Sequence, residues 1–239
     1  MTITISQIQD AAQAVGVPLN EAQAAQLLRY RDLLIEWNAR FNLTAITDDA
    51  AILTHHFADS LTALRAFKPA AGQTLLDLGT GAGMPGIPLK IAQPGLDVTL
   101  MDSTGKKVTF CQAVIDDLLL PGISAVKERA EEAAHKPAYR EQFDIVVARA
   151  LAPMPVLVEY LLPFVRVGGC CVAMKGGDAA SETEQAARGI QTLGGALARI
   201  EQVTLPGLTD QRALVIIEKQ APSPSQYPRQ AGKPRTSPL

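Results

Sequence analysis

Cysteine is scarce in this chain: among 239 residues there are three, Cys111, Cys170 and Cys171. They have no metal-ligand spacing, and neighbours on one strand point to opposite faces, so no metal site is expected. Buried thiols in a reducing compartment are the expectation. A cysteine nucleophile fits poorly, because Cys170-Cys171-Val172-Ala173 reads as strand interior. Long apolar runs are missing too. The most apolar stretch, Val146 to Val167, is interrupted by Arg149, Glu159 and prolines, which excludes a membrane span. The opening Met1-Thr2-Ile3-Thr4-Ile5 lacks a basic n-region and a long apolar core. No signal peptide is read there, and a cytoplasmic protein is expected. Nor is there an excess of one charge: the net charge of −2 argues against a protein that coats nucleic acid indiscriminately. No internal repeat is evident.

What remains is ordinary for a globular protein, 47% hydrophobic and 19% charged. A chain this long buries roughly 70–75% of its unfolded surface, enough for one α/β domain with an appendage. Residues 1–71 read as a helical region. Ser6-x-x-Gln9 and Asn20-x-x-Gln23 look like capping boxes, and Ala24, Leu27, Leu28, Leu34, Ile35 and Phe41 form a core-facing stripe at helical spacing. A third helix is expected from about Asp49 to Phe67. From residue 72 to 220 strands and helices alternate, the mark of a parallel sheet. Strands are expected at 74–79, 97–102, 123–127, 143–148 and 169–174, with helices near 84–93, 105–119, 153–162 and 178–193. Two further strands, about 197–205 and 211–218, follow without a long helix between them, joined by a Pro206-Gly207 turn. That closing hairpin distinguishes a seven-stranded sheet from the two repeated βαβαβ halves of a dinucleotide dehydrogenase.

The most informative stretch is Leu75-Leu76-Asp77-Leu78-Gly79-Thr80-Gly81-Ala82-Gly83-Met84-Pro85-Gly86, an apolar strand running through an acid into a glycine-rich turn. Such a turn lets backbone approach a ligand where a Cβ would collide. Gly81-x-Gly83-x-x-Gly86 matches the dinucleotide fingerprint, which alone is weak. Asp77 would set a negative charge near a bound pyrophosphate, whereas it suits a ligand carrying an ammonium group and a sulfonium. The stretch reads as the S-adenosylmethionine turn of an α/β, Rossmann-like class I methyltransferase with an N-terminal helical extension. Asp102, at the end of the second strand, can accept hydrogen bonds from both ribose hydroxyls of an adenosyl group. Ser103-Thr104-Gly105-Lys106-Lys107 lacks the upstream Gly and the following Ser/Thr of a phosphate loop, so an NTPase is rejected.

Beyond the turn, Arg149 leaves a buried strand at the carboxyl edge where ligands bind; the bland alternative is a surface cation. His56, Asp59 and Ser60 read either as a network locking the N-terminal helices onto the sheet or as a lining of the active-site mouth. Lys175, beside Gly176-Gly177 at the same edge, is a candidate phosphate contact. Residues 221–239 contain Arg229, Lys233 and Arg235, no acid and five prolines. They read as a semi-extended basic tail unable to form helix or sheet, either solvated or touching phosphate.

Trp37-Asn38-x-x-Phe41-Asn42-Leu43-Thr44-Ala45-Ile46, His56-x-x-Asp59-Ser60-Leu61, Gly79 to Pro88, Asp102-Ser103-x-x-Lys106-Lys107 and the closing Tyr227-Pro228-Arg229 to Pro238-Leu239 together resemble the RsmG (GidB) family across nearly the whole chain. Those proteins are bacterial methyltransferases acting on a guanine N7 in 16S ribosomal RNA. The resemblance implies cofactor contacts in the turn at Gly79 and Met84, and Gly81 and Gly83 of the same turn are read as cofactor-binding too. It implies further contacts at Asp102, Ser103 and Thr104, at Ala130 and Glu131, and at Arg149. It implies S-adenosylmethionine as cofactor and 16S ribosomal RNA or a small-subunit particle as partner; no membrane, no metal and a monomer are expected beside it. His56, Lys175, Arg229, Lys233 and Arg235 are the candidate RNA contacts.

Guanine N7 carries a free lone pair at neutral pH, so alignment and a suitable field suffice and no catalytic base is singled out. The base must be unpaired or extruded to be reached. Two alternatives stand beside this reading: an NAD(P)-dependent oxidoreductase, which the glycine turn and Asp102 alone permit, and a non-catalytic RNA- or nucleotide-binding module.

Overall fold

A computed structural model describes residues 3–205 and 207–239; Pro206, expected in the last hairpin turn, lies outside the described residues. Helices α1 (Ile5–Ala14) and α2 (Glu21–Phe41) come first. The α2 start carries the expected capping box, Asn20 with Gln23. At α1 the box is Thr4 with Gln7, two residues earlier than the sequence suggested. Thr4 is extended, as an N-cap must be, whereas Ser6 already lies inside the helix. The third helical stretch is composite. It begins as α3 (Asp49–Ala51), widens into a π-helical turn (Ile52–Ala58), continues as α4 (Asp59–Thr62) and ends in a 3₁₀ turn (Ala63–Arg65).

The sheet has seven strands: β1 (Thr74–Leu78), β2 (Asp97–Asp102), β3 (Ile123–Lys127), β4 (Phe143–Arg149), β5 (Val165–Lys175), β6 (Gly195–Val203) and β7 (Arg212–Lys219). Their order is β3-β2-β1-β4-β5-β7-β6. The first five run parallel, while β7 is antiparallel to β5 and β6 antiparallel to β7. Intervening helices are α5 (Gly86–Ala92), α6 (Gly105–Asp117), α7 (Ala130–Ala133), α8 (Met154–Leu161), α9 (Ala179–Gln185) and α10 (Ala187–Thr192); a short α11 (Lys233–Thr236) follows the sheet. The single helix expected over 178–193 is broken at Ala186. Strand β5 starts four residues early, with a register irregularity opposite Phe143/Ile145.

Alternation along the strands divides the interior in two. Leu75, Val98, Leu100, Ile145 and Val147 face the N-terminal helices, α5 and α6, whereas Leu76, Leu78, Met101, Val146 and Ala148 face α8 to α10. Both sheet faces are therefore covered, as an α/β sheet requires. Cys111 and Cys171 are buried and Cys170 is half-buried; burial pushes the Cys170 thiol up to about 11, which makes it a poor nucleophile. Among the described residues, no helix is long and apolar enough to cross a membrane.

The tail departs from expectation. Rather than being unable to form helix, it contains α11 and is fastened to the protein. The Arg140 guanidinium donates to the carbonyls of Ser223, Pro224 and Tyr227. The Arg229 guanidinium grips Glu159. Extended Pro-rich backbone offers carbonyls with few N–H partners, which a guanidinium fork satisfies well. Glu159, wholly buried in α8, requires a cation. Arg229 is therefore committed to an ion pair with a buried carboxylate while its own side chain stays partly exposed.

Candidate active site

The glycine turn leaves β1 and crosses the end of β2, where the backbone N–H groups of Gly79 and Thr80 both donate to the Met101 carbonyl (2.8 and 3.1 Å). Gly79 has φ +73°, and a Cβ there would lie 2.7 Å from Leu151 Cδ1. The turn rests on Asp77. Its carboxylate is fully buried, accepting from Thr80 Oγ1 (2.6 Å) and the Gly86 N–H (2.8 Å), while Oδ1 has no partner. Asp77 thus braces the turn from beneath instead of presenting charge to a ligand. Burial pushes its pKa up to about 6, against the pull of Thr80 and Gly86. From above, Tyr30 of α2 donates to the Ala82 carbonyl and stacks between Phe57 and Phe110. The N-terminal helices are therefore part of what holds the turn, a role no local pattern announced.

Two cavities open at the carboxyl edge of the sheet. The first, about 490 Å³, is lined by Gly79, Asp102, Ser103, Thr104, Ala130 and Glu131, together with Lys107, Leu151, Tyr160, Gly232 and Arg235. Asp102 is held rigidly: Oδ2 accepts from the Gly81 N–H (3.0 Å) and Oδ1 from the Thr104 N–H (2.8 Å). A carboxylate has about four acceptor sites, so capacity remains for a diol. A fixed acid, a glycine where a Cβ would collide and the Ala130–Glu131 segment on the same cavity wall suit an adenosyl group. Gly81, Gly83 and Met84 do not line this cavity: Gly81 orients Asp102, while Gly83 packs against Ile87 and Tyr30, and Met84 is buried in the core.

The second cavity, about 390 Å³, is lined by His55, His56, Asp59, Arg149, Lys175 and Arg212, among others, and shares Ala150 with the first. Ala150 has φ +52°, a strained conformation of the kind that collects at functional sites. Arg149 lines this second cavity and not the first. Its Nη1 donates to the His55 carbonyl (2.8 Å) and Asp59 Oδ2 (2.9 Å), and Arg212 approaches Asp59 Oδ1 at 3.7 Å. The resemblance had pointed Arg149 at the cofactor; the composite helix supplies a carboxylate and a carbonyl that take its guanidinium. His56 completes a chain that starts in the Trp37–Ile46 motif. The Asn38 side chain accepts from the Leu43 and Thr44 N–H groups, and Thr44 Oγ1 pairs with His56 Nε2 (3.1 Å). The buried His56 Nδ1 has no partner. Burial, with Arg149 nearby, pushes the His56 pKa down to about 4, so the ring is neutral at physiological pH. Lys175 is paired with Glu182 (2.7 Å) and the Ala152 carbonyl (3.1 Å). Lys233 is exposed and lies on neither cavity wall. Tyr160, Leu151, Arg212 and the pocket-facing role of Arg235 escaped sequence reasoning, since each reaches its site only through the tertiary fold.

A family model described as rRNA small subunit methyltransferase G (GidB) matches residues 23–215. The chain is 47% identical over 230 residues to the ribosomal RNA small subunit methyltransferase G of Chloroflexus aggregans, covering 96% of each chain. It is 46% identical over 227 residues to the protein of that name from Lachnoclostridium phytofermentans, covering 95% of this chain and 94% of the relative. Among solved structures, a geranyl diphosphate methyltransferase in complex with SAM superposes with a TM-score of 0.55 at 14% identity, over 68% of this chain and 84% of that one. The [4+2]-cyclase SpnF does so with 0.56 at 14% identity, over 84% and 96%. A methyltransferase and a cyclase on one scaffold show that these likenesses speak for the fold, and function must come from the site.

Proposed function

The chain belongs to the rRNA small subunit methyltransferase G family, and from that membership we propose that it transfers a methyl group from S-adenosylmethionine to N7 of a guanine in 16S ribosomal RNA, offered as RNA or as a small-subunit particle. Such a substrate puts the enzyme in the cytoplasm. The observation that carries the reading is the meeting of two cavities at Ala150, one shaped for an adenosyl group and the other lined by Arg149, Arg212, His55 and His56.

In this reading Asp102 takes the ribose hydroxyls, Ala130 and Glu131 meet the adenine edge, and Gly79 leaves room for close approach. The bound cofactor supplies a methyl group activated by a sulfonium. The acceptor base enters the second cavity, where the Arg149–Asp59–Arg212 cluster fixes the wall. Asp59 is doubly paired and His56, with its pKa pushed down to about 4, is a weak base, so neither is tuned to take a proton near neutral pH, which suits a nucleophile with no proton to lose. The protein's contribution is alignment of the two ligands across Ala150 and exclusion of water. An oxidoreductase is disfavoured by family membership and by the antiparallel β6–β7 hairpin.

The test is methylation of small-subunit RNA and particles in vitro, with the product mapped by borohydride and aniline cleavage, which is specific for 7-methylguanosine, and primer extension. Methyl on an exocyclic amine or a hydroxyl would refute the N7 assignment. Asp102→Ala should weaken cofactor binding roughly ten- to hundredfold by calorimetry, the scale of hydrogen bonds to a charged acceptor.

A further inference from the structure

Beyond the Arg140 fork on its first residues, the C-terminal segment is built into the molecule at three points. Arg229 donates to Glu159 through its backbone N–H (2.7 Å), Nε (2.9 Å) and Nη2 (2.6 Å). His135 Nε2 lies 2.8 Å from the Pro228 carbonyl. Leu239, the last residue, packs onto the core beside Gly189, where an added Cβ would come within 3.3 Å of it. Between these anchors the chain reverses at Gly232, with φ +85°, and α11 begins. The reversal delivers Gly232 and Arg235 to the wall of the first cavity, beside Glu131 and Tyr160. The Gly232 N–H points to Glu131 Oε1 (3.4 Å). The Tyr160 phenol lies between Glu131 and Arg235, pushed up by burial and by Glu131 and held down by Arg235.

We propose that this strap is a working wall of the cofactor cavity and that Arg235 binds the adenine end of S-adenosylmethionine. Among the described residues, the cavity wall carries two arginines with no carboxylate within ion-pair distance, Arg129 and Arg235, and Arg235 is the one set beside Tyr160 and Glu131. A guanidinium at the cavity rim is planar, weakly hydrated and suited to the face of a purine, which an ammonium is not. Its neighbour Glu131 belongs to the segment assigned to the adenine edge, so the strap closes that end and not the methyl-transfer end at Ala150. The inference rests on the methyltransferase reading and adds to it that residues far from the glycine turn select the cofactor.

Full-length wild type, Arg235→Lys and Arg235→Ala would be titrated by calorimetry with S-adenosylhomocysteine and, separately, with adenosine. Arg235→Ala should weaken both ligands by the same factor, about 5- to 30-fold, with Arg235→Lys recovering only part of the loss. The unliganded melting temperature should stay within about 2 °C of wild type, as expected for an exposed side chain. Unchanged affinity in Arg235→Ala, or a loss confined to S-adenosylhomocysteine, would overturn the assignment while the methyltransferase reading stood. A wild-type protein that bound neither ligand would overturn both.

Discussion

Asp77 and His56 titrate over the same pH range with opposite effects on stability. Asp77 has its pKa pushed from 3.8 to about 6 by burial, so the folded state holds a proton that the unfolded state has released. Stability from this group is lost as pH rises through that window. A displacement of about two pH units at ~1.36 kcal/mol each amounts to about 3 kcal/mol. His56 has its pKa pushed from 6.5 to about 4, so the folded state resists a proton that the unfolded state takes up. Its contribution is gained as pH rises through 4 to 6.5, again about 3 kcal/mol. In the wild type the two nearly cancel. Urea unfolding from pH 4 to 7 at fixed ionic strength should therefore give difference curves of opposite slope. Asp77→Asn should become more stable relative to wild type with rising pH, by about 2–3 kcal/mol across the range. His56→Gln should become less stable relative to wild type by a similar amount. Both variants keep an acceptor or donor for the existing partners, Thr80 and Gly86 in one case and Thr44 in the other. Difference curves that are flat to within ~0.5 kcal/mol, or that share a sign, would refute the burial argument for both groups.

Gly79→Val should cut cofactor affinity at least tenfold in calorimetry, because its Cβ drives Leu151 toward the cavity and φ +73° strains a β-branched residue by about 1–3 kcal/mol. Arg229→Ala leaves a fully buried Glu159 carboxylate unpaired, a cost of about 3–5 kcal/mol that the protein can relieve by releasing the strap. Hydrogen exchange should then show protection lost over residues 222–239 and retained in β1 and β4; retained protection in the strap would contradict its anchoring. Single-turnover methyl transfer at saturating RNA and cofactor should vary by less than about twofold between pH 6.5 and 8.5, since the attacking N7 carries no proton to lose and His56 is already neutral there. A tenfold rise per pH unit would mean that a proton is removed from the acceptor.

The strands, the parallel order of the sheet and the glycine turn were legible in the sequence because their signals are local. Apolar runs of strand length, punctuated by glycine and alternating with helical periodicity, leave few topologies open. Asp102 was legible for the same reason, lying at the end of a strand whose position the pattern had fixed. What the tertiary structure decided is the partnership of side chains far apart in sequence. Asp77 reads as a charge beside the ligand, yet Thr80, Gly86 and the helices above the turn seal it inside. Arg149 leaves its strand at the expected edge, but the carbonyl of His55 and the carboxylate of Asp59, some 90 residues earlier, draw it to the second cavity. The tail is acid-free and Pro-rich, a composition that suggests solvation. It docks because Glu159, 70 residues upstream, is buried without another cation and because Arg140 supplies donors for its carbonyls. A sequence lists charges and spacings, and burial decides which of those charges must find each other.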